Sequence, residues 1–207
     1  MKKGNNVPLT TEEIEKAYKS IKEDSKNACP FNLLDAYLNK YPKNADLLIV
    51  AAKVIMINHF YSTHLATYKS QISICSMAKI IVYLTKNNNL DTLIENGDPE
   101  AVNLIAKECK SKYNINLFSF ASKYCFCHNW YVYKHDDYSI FDGVVAHSLP
   151  LYATQNLPIS VNGVYAWKNH IDYNSFNKYV GDLLDAYKIN VPNRRRLLDC
   201  FLWLLYR

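Results

Sequence analysis

Residues 46–68 carry the run LLIVAAKVIMINHFY, which is apolar on nearly every side when wound into a helix. A helix without a polar face has to lie inside its domain. The chain must therefore build further elements around this one. None of those elements reads as a strand, because no segment sustains the apolar–polar alternation of a half-buried sheet. No internal repeat appears either, which excludes solenoid and propeller architectures. The expected fold is all-α, with eight or nine helices in one domain spanning residues 1–207, the helices of residues 10–42 packing on a core of residues 44–207.

Local signals place the helices. Thr10-Thr11-Glu12-Glu13 reads as a capping box opening an amphipathic helix with Ile14, Tyr18 and Ile21 on one face. Pro30 is expected to start a second helix that Tyr41-Pro42 ends. A third runs from Asp46 to about Tyr68, and a fourth from Ile72 to Leu84, before Asn87-Asn88-Asn89. Gly97-Asp98-Pro99 opens a helix with Asp98 as its N-cap, whose stripe of Ala101, Val102, Ile105 and Cys109 points inward. After the turn Asn114–Asn116, a helix spans Leu117 to about His128 and a polar, aromatic loop follows. Asp142 then caps a helix running to about Tyr152, ended or bent near Pro150. Leu157–His170 reads as irregular, with an extended piece at ISVNGVYAW. Asp172 opens a helix with Phe176, Tyr179, Val180, Leu183, Leu184 and Tyr187 inward, and the last helix starts near Asn193.

Composition narrows the setting. The net charge of +5 permits an anionic partner without requiring one. Seventeen tyrosines suit core edges and base-stacking surfaces equally. The six cysteines form no CxxC pair, and the N-terminal MKKGNNVPLTTEE has no apolar core of a signal peptide. Free thiols in a reducing cytoplasm are expected, with no membrane span. Nucleotide-binding P-loops, the α/β-hydrolase GxSxG and the zincin HExxH are all missing from the sequence. Cys125 and Cys127, two apart on a helix, point about 200° away from each other and cannot grip one ion. No metal and no cofactor are expected.

The chemistry-bearing stretch is Asn116–Val145, NLFSFASKYCFCHNWYVYKHDDYSIFDGVV. Lys123 precedes Asp142 by 19 positions, across a helix–loop–helix corner. Asp142 reads as an N-cap, and a carboxylate there stays ionised and able to take a proton or face a developing cation. Lys123 sits among Phe118, Phe120, Tyr124 and Phe126. It reads either as a snorkelling surface lysine or as an amine able to attack an electrophilic carbon. Lys107, Lys110, Lys112 and Lys123 flank the turn at Asn114–Asn116, a geometry suited to a phosphate. Arg194-Arg195-Arg196 puts three cations against a helix dipole, which suggests contact with an anion, although a solvated run reads equally well.

Four segments carry a resemblance: INHFYST (57–63), GDPEAV (97–102), SFASKYCFCHN (119–129) with SIFD (139–142), and LDCFLW (198–203). Together they resemble the helix-hairpin-helix DNA glycosylases, specifically bacterial 8-oxoguanine DNA glycosylase-like proteins. The resemblance implies two helical lobes around a cleft that receives a flipped nucleotide. It implies Asp142 as the catalytic carboxylate and Lys123 as an amine able to form a Schiff base at the sugar C1′. Phe60, Tyr61, His128 and Trp203 would line the base pocket, and Lys110, Lys112, Asn114, Asn116, Arg194 and Arg195 would contact DNA. Two departures stand out. Asn114-Ile115-Asn116 replaces the usual Gly-x-Gly, and the family lysine's place falls near Ser119, one turn before Lys123 on the same face.

The expected function is excision of a modified or damaged base from double-stranded DNA, either an oxidised purine or a modified base of foreign DNA, by a cytoplasmic monomer. A DNA-binding module without catalysis and a helical protein–protein adaptor are the alternatives.

Overall fold

The computed structural model describes residues 7–65 and 72–207. These residues form eleven α-helices and one 3-10 turn, with no strand among them. In chain order the helices are α1 (Thr11–Glu23), α2 (Ser25–Lys40), α3 (Leu47–Phe60), α4 (Ile74–Asn88), α5 (Leu90–Glu95) and α6 (Glu100–Tyr113). They continue with α7 (Phe118–Tyr131), α8 (Gly143–Ser148), α9 (Val161–His170), α10 (Tyr173–Ala186) and α11 (Arg194–Tyr206).

Side-chain caps set many of the starts. Thr10, Asp46, Ser73, Asp142, Ser160 and Asp172 each accept a backbone N–H from the first turn of the helix that follows. Asn89 and Asn114 end α4 and α6 in the left-handed conformation that asparagine tolerates. Gly97 also has a positive φ, and a Cβ there would collide with the Asp137 side chain.

Several expectations change: the helices number eleven among the described residues rather than eight or nine, and α6 starts at Glu100 with Pro99, not Asp98, as its N-cap. Pro30 lies inside α2, which begins upstream at Ser25. The piece ISVNGVYAW is helical, because Ser160 accepts the Gly163 N–H and starts α9. Helix α3 stops at Phe60, with Tyr61 as its C-cap, and the expected end near Tyr68 lies outside the described residues. Nor is α3 buried all round, since Leu48 is 80% and Ile55 53% exposed. The helix enclosed on nearly every side is α7, with twelve of its fourteen residues buried. It packs against α2, α3, α5 and α6, and so brings residues from the middle of the sequence to the centre of the molecule.

One hydrophobic core extends from Leu9 to Leu202, and the first and last helices, α1 and α11, pack on each other. The link from α7 to α8 crosses this core. Tyr138 donates to the carbonyls of Leu93 and Asp98. The Ser139 N–H donates to Tyr173 and Asn177, and the Phe141 ring packs against Phe118 and Phe176. No helix among the described residues is long and apolar enough to cross a membrane.

Candidate active site

A cleft of about 860 Å³ opens between the C-terminal end of α3, the middle of α7, the start of α8 and one face of α11. That volume lies in the range that holds a small organic ligand. Ser119 and Lys123, one turn apart on α7, line it, and Asp142 faces them from the N-cap of α8. Phe60 and Tyr61 enter from the end of α3, and Phe31 from α2. Arg196, Asp199 and Trp203 form a stripe along α11, spaced to lie on one helical face.

Lys123 is the polar centre of the cleft. Only 4% exposed, its Nζ lies 3.3 Å from Asp142 Oδ2 and donates to the Tyr61 carbonyl at 3.2 Å. Asp142 divides its two oxygens between tasks. Oδ1 accepts the Val145 N–H at 3.0 Å as the cap of α8, leaving Oδ2 for the ammonium. A buried cation with one carboxylate and one carbonyl is satisfied electrostatically, and its amine stays on the cleft wall. Capping and pairing are thus carried by one side chain.

A second charge pair shares the cleft. Arg196 donates to Asp199 Oδ2 at 3.0 Å, and its guanidinium lies 5.5 Å from the Phe31 ring and 5.4 Å from that of Phe126. Its Nε is buried without a partner. Burial pushes the Asp199 carboxyl up to about 6, against the opposing pull of Arg196. Neither residue was singled out from the sequence as a cleft residue. The signal was available, since the charged residues Arg196 and Asp199 share a helical face with Trp203 on a mostly apolar helix.

The remaining expected residues divide. Phe60, Tyr61 and Trp203 line the cleft, whereas His128 does not. Its ring stacks 4.4 Å from that of Tyr124 inside the core, and burial holds its pKa well below the usual value. A buried aromatic ring on α7 faces inward simply because nearly every face of α7 is inward. Lys110 and Asn114 are exposed at the end of α6. Lys112 pairs with Glu108 at 2.8 Å and lies over the Tyr83 ring. Asn116 is occupied internally, donating to the Lys168 carbonyl and accepting the Phe118 N–H.

Arg194 and Arg195 both have partners within the chain, Arg194 at the surface and Arg195 in a partly buried position. Arg194 pairs with Asp185. The Arg195 guanidinium donates to Ser139 Oγ at 2.7 Å and to the Asn177 carbonyl at 2.9 Å. The dipole conflict of three arginines at a helix start is relieved by Asp136, whose carboxylate accepts the N–H groups of Arg195 and Arg196 at 2.8 and 3.0 Å. No group of three or more His, Cys, Asp or Glu side chains converges into a metal site among the described residues.

Residues 13–136 match the family model HI_0787_N, described as an N-terminal domain. No curated protein and no solved structure matches the chain. The matched segment contains Lys123 and stops before Asp142 and all of α11.

Proposed function

This chain belongs to the HI_0787_N family, and we propose that it is a DNA glycosylase-like enzyme that excises a modified or damaged base. The observation that carries this reading is the Lys123–Asp142 pair, 3.3 Å apart on the wall of an open cleft lined by Phe60, Tyr61 and Trp203. In this reading the cleft lies between two helical lobes, and a nucleotide flipped out of double-stranded DNA enters it. The aromatic rings supply stacking partners for the extruded base. The protein acts as a cytoplasmic monomer, and the base is an oxidised purine or a modification found in foreign DNA.

The chemistry follows from the two side chains. In its neutral form the Lys123 amine attacks the sugar C1′, and the C1′–N bond breaks with its electron pair leaving on the base. The proton shed by the attacking nitrogen goes to Asp142 or to the departing base. As positive charge builds on the sugar ring, the Asp142 carboxylate stabilises it, because it is held in place by the Val145 N–H before the reaction starts. The C1′–O4′ bond then breaks with its electron pair on O4′, which takes a proton from Asp142, and the nitrogen lone pair closes a C1′ iminium on Lys123. Where water attacks in place of the amine, Asp142 serves as its base and no adduct forms.

Borohydride trapping on a panel of duplexes carrying different modified bases tests this. Wild type should form a covalent adduct on one class of duplex, Lys123→Gln none, and Asp142→Asn far less. Alkali-labile sites that require Asp142, without an adduct, would assign a glycosylase using water. Neither product on any duplex would overturn the enzymatic reading. Salt-steep DNA affinity that survives Asp142→Asn would then leave a binding module. The exposed Leu48 and Ile55 of α3 favour a protein–protein adaptor as the second reading, which predicts no DNA affinity at all.

A further inference from the structure

We infer that Ser122 is a positioning residue that holds Asp142 against Lys123, an inference whose catalytic consequence rests on the glycosylase reading. Ser122 is fully buried on α7, next in sequence to Lys123. Its Oγ donates to the Ser119 carbonyl at 3.0 Å, the bond of a helical serine to the preceding turn. The same Oγ accepts the Phe141 N–H at 3.0 Å and lies 3.5 Å from the Phe141 carbonyl. Phe141 immediately precedes Asp142, so one hydroxyl ties the helix bearing the amine to the peptide bearing the carboxylate.

The surroundings leave this hydroxyl a specific task. The Phe141 ring is already fixed by Phe118, Tyr165 and Phe176, with ring centroids 5.0, 6.3 and 5.3 Å away. Those contacts set where the segment lies but not how its peptide plane is turned. Asp142 follows in extended conformation, at φ −154° and ψ −172°, so its carboxylate swings with the Phe141–Asp142 peptide. The Ser122 hydroxyl spans Phe141, accepting the N–H of the Ile140–Phe141 peptide and lying 3.5 Å from the carbonyl of the Phe141–Asp142 peptide, while the Val145 N–H holds Asp142 Oδ1. With both in place Oδ2 is aimed at the Lys123 ammonium.

Three variants separate positioning from plain stability: Ser122→Ala, Ser122→Thr and Asp142→Asn. The readout independent of activity is acylation of lysine amines by an amine-reactive probe, followed by peptide mass spectrometry. Lys53 is the internal control, because it is fully buried and is not among the residues lining the cleft. Ser122→Ala should raise labelling of Lys123 relative to Lys53, as Asp142→Asn does, and Ser122→Thr should restore it because the acceptor oxygen is kept. On a duplex that wild type traps, Ser122→Ala should slow adduct formation by about tenfold or more with DNA affinity unchanged, the signature of a misplaced reacting group.

Equal increases at Lys123 and Lys53 in Ser122→Ala would overturn the inference, since they would mean general loosening. If Ser122→Ala does not fold, Ser122→Cys, which puts a somewhat larger and weakly accepting thiol in place of the hydroxyl, is scored by the same ratio. Should wild type trap no duplex, the enzymatic reading fails while the labelling ratio still decides whether Ser122 sets the ion pair.

Discussion

Lys123 Nζ and Asp142 Oδ2 stand 3.3 Å apart, and the partner oxygen of that carboxylate caps α8 through the Val145 N–H. The pair joins the central helix α7 to α8 across the loop between them, so it contributes to stability as well as to the cleft. Removing the carboxylate strands a nearly buried ammonium and uncaps a helix. Asp142→Ala should therefore cost about 3 kcal/mol in urea unfolding, most of it from the unpaired charge. Lys123→Met should cost less, because Asp142 keeps its cap and is the more exposed partner. The double variant should be more stable than the sum of the two losses by about 2 kcal/mol. Additive losses would show that the pair is not coupled.

Asp136 makes a pH prediction. Burial pushes its carboxyl up to about 6, against the lowering effect of the two N–H groups it accepts at the start of α11. Its folded value exceeds the unfolded one, so the native state binds more protons between about pH 4 and 6. The contribution to stability is present below that window and is lost as pH rises through it. Wild type should thus lose about 2 kcal/mol relative to Asp136→Asn between pH 4 and pH 6.5. Parallel pH profiles for the two proteins in urea unfolding would contradict this. Asp199, raised in the same range, titrates in both and cancels from the difference.

Lys53 makes the opposite one. Its ammonium is fully buried, donating to the Lys43 carbonyl at 3.0 Å and to Asn44 Oδ1 at 2.9 Å, and burial lowers its pKa to about 8. The unfolded lysine keeps its proton to about 10.4, so the unfolded state binds more protons above pH 8 and stability rises over that window. The charged lysine costs the fold about 3 kcal/mol at neutral pH, which its two hydrogen bonds offset in part. Lys53→Met should match wild type within about 1 kcal/mol at pH 7.5 and fall behind it at pH 10. A constant difference between the two proteins would mean that Lys53 titrates normally.

Sequence patterning reached the helices whose caps are local. Thr10, Asp142 and Asp172 were legible because the capping side chain sits within three residues of the N–H it accepts. Ser160 is less legible, because the Val161, Val164 and Tyr165 that follow it are strand-type residues. Depth in the fold was not legible at all. Apolar composition alone made α3 look central, whereas α7, with its lysine, serines and histidine, is the helix enclosed by its neighbours. For the cleft, Lys123 and Asp142 could be named from one continuous stretch. Arg196 and Asp199 share a face of α11 with Trp203 in the sequence, but that this face lines the same cleft as Lys123 is a tertiary event that no local spacing encodes.

Arg195 offers the sharpest test of what the fold does with the basic run at 194–196. Its guanidinium is spent on Ser139 Oγ and on the carbonyl and side-chain oxygens of Asn177, at 2.7, 2.9 and 3.2 Å. Ser139 lies three residues before Asp142, so Arg195 braces the segment that carries the carboxylate. Arg195→Met takes the guanidinium from Ser139 Oγ, while Asn177 Oδ1 keeps the Ser139 N–H, and should cost about 1 kcal/mol of stability. It should not alter the salt dependence of DNA binding, because an inward guanidinium displaces no counterion from a phosphate. Lys110, exposed at the end of α6, differs. If it meets a phosphate, Lys110→Gln lowers the slope of log K against log salt by about 0.9. Fluorescence anisotropy over a potassium chloride series measures both slopes. A reduced slope for Arg195→Met would mean that this arginine turns outward when DNA binds, and that the brace on Ser139 is released in the complex.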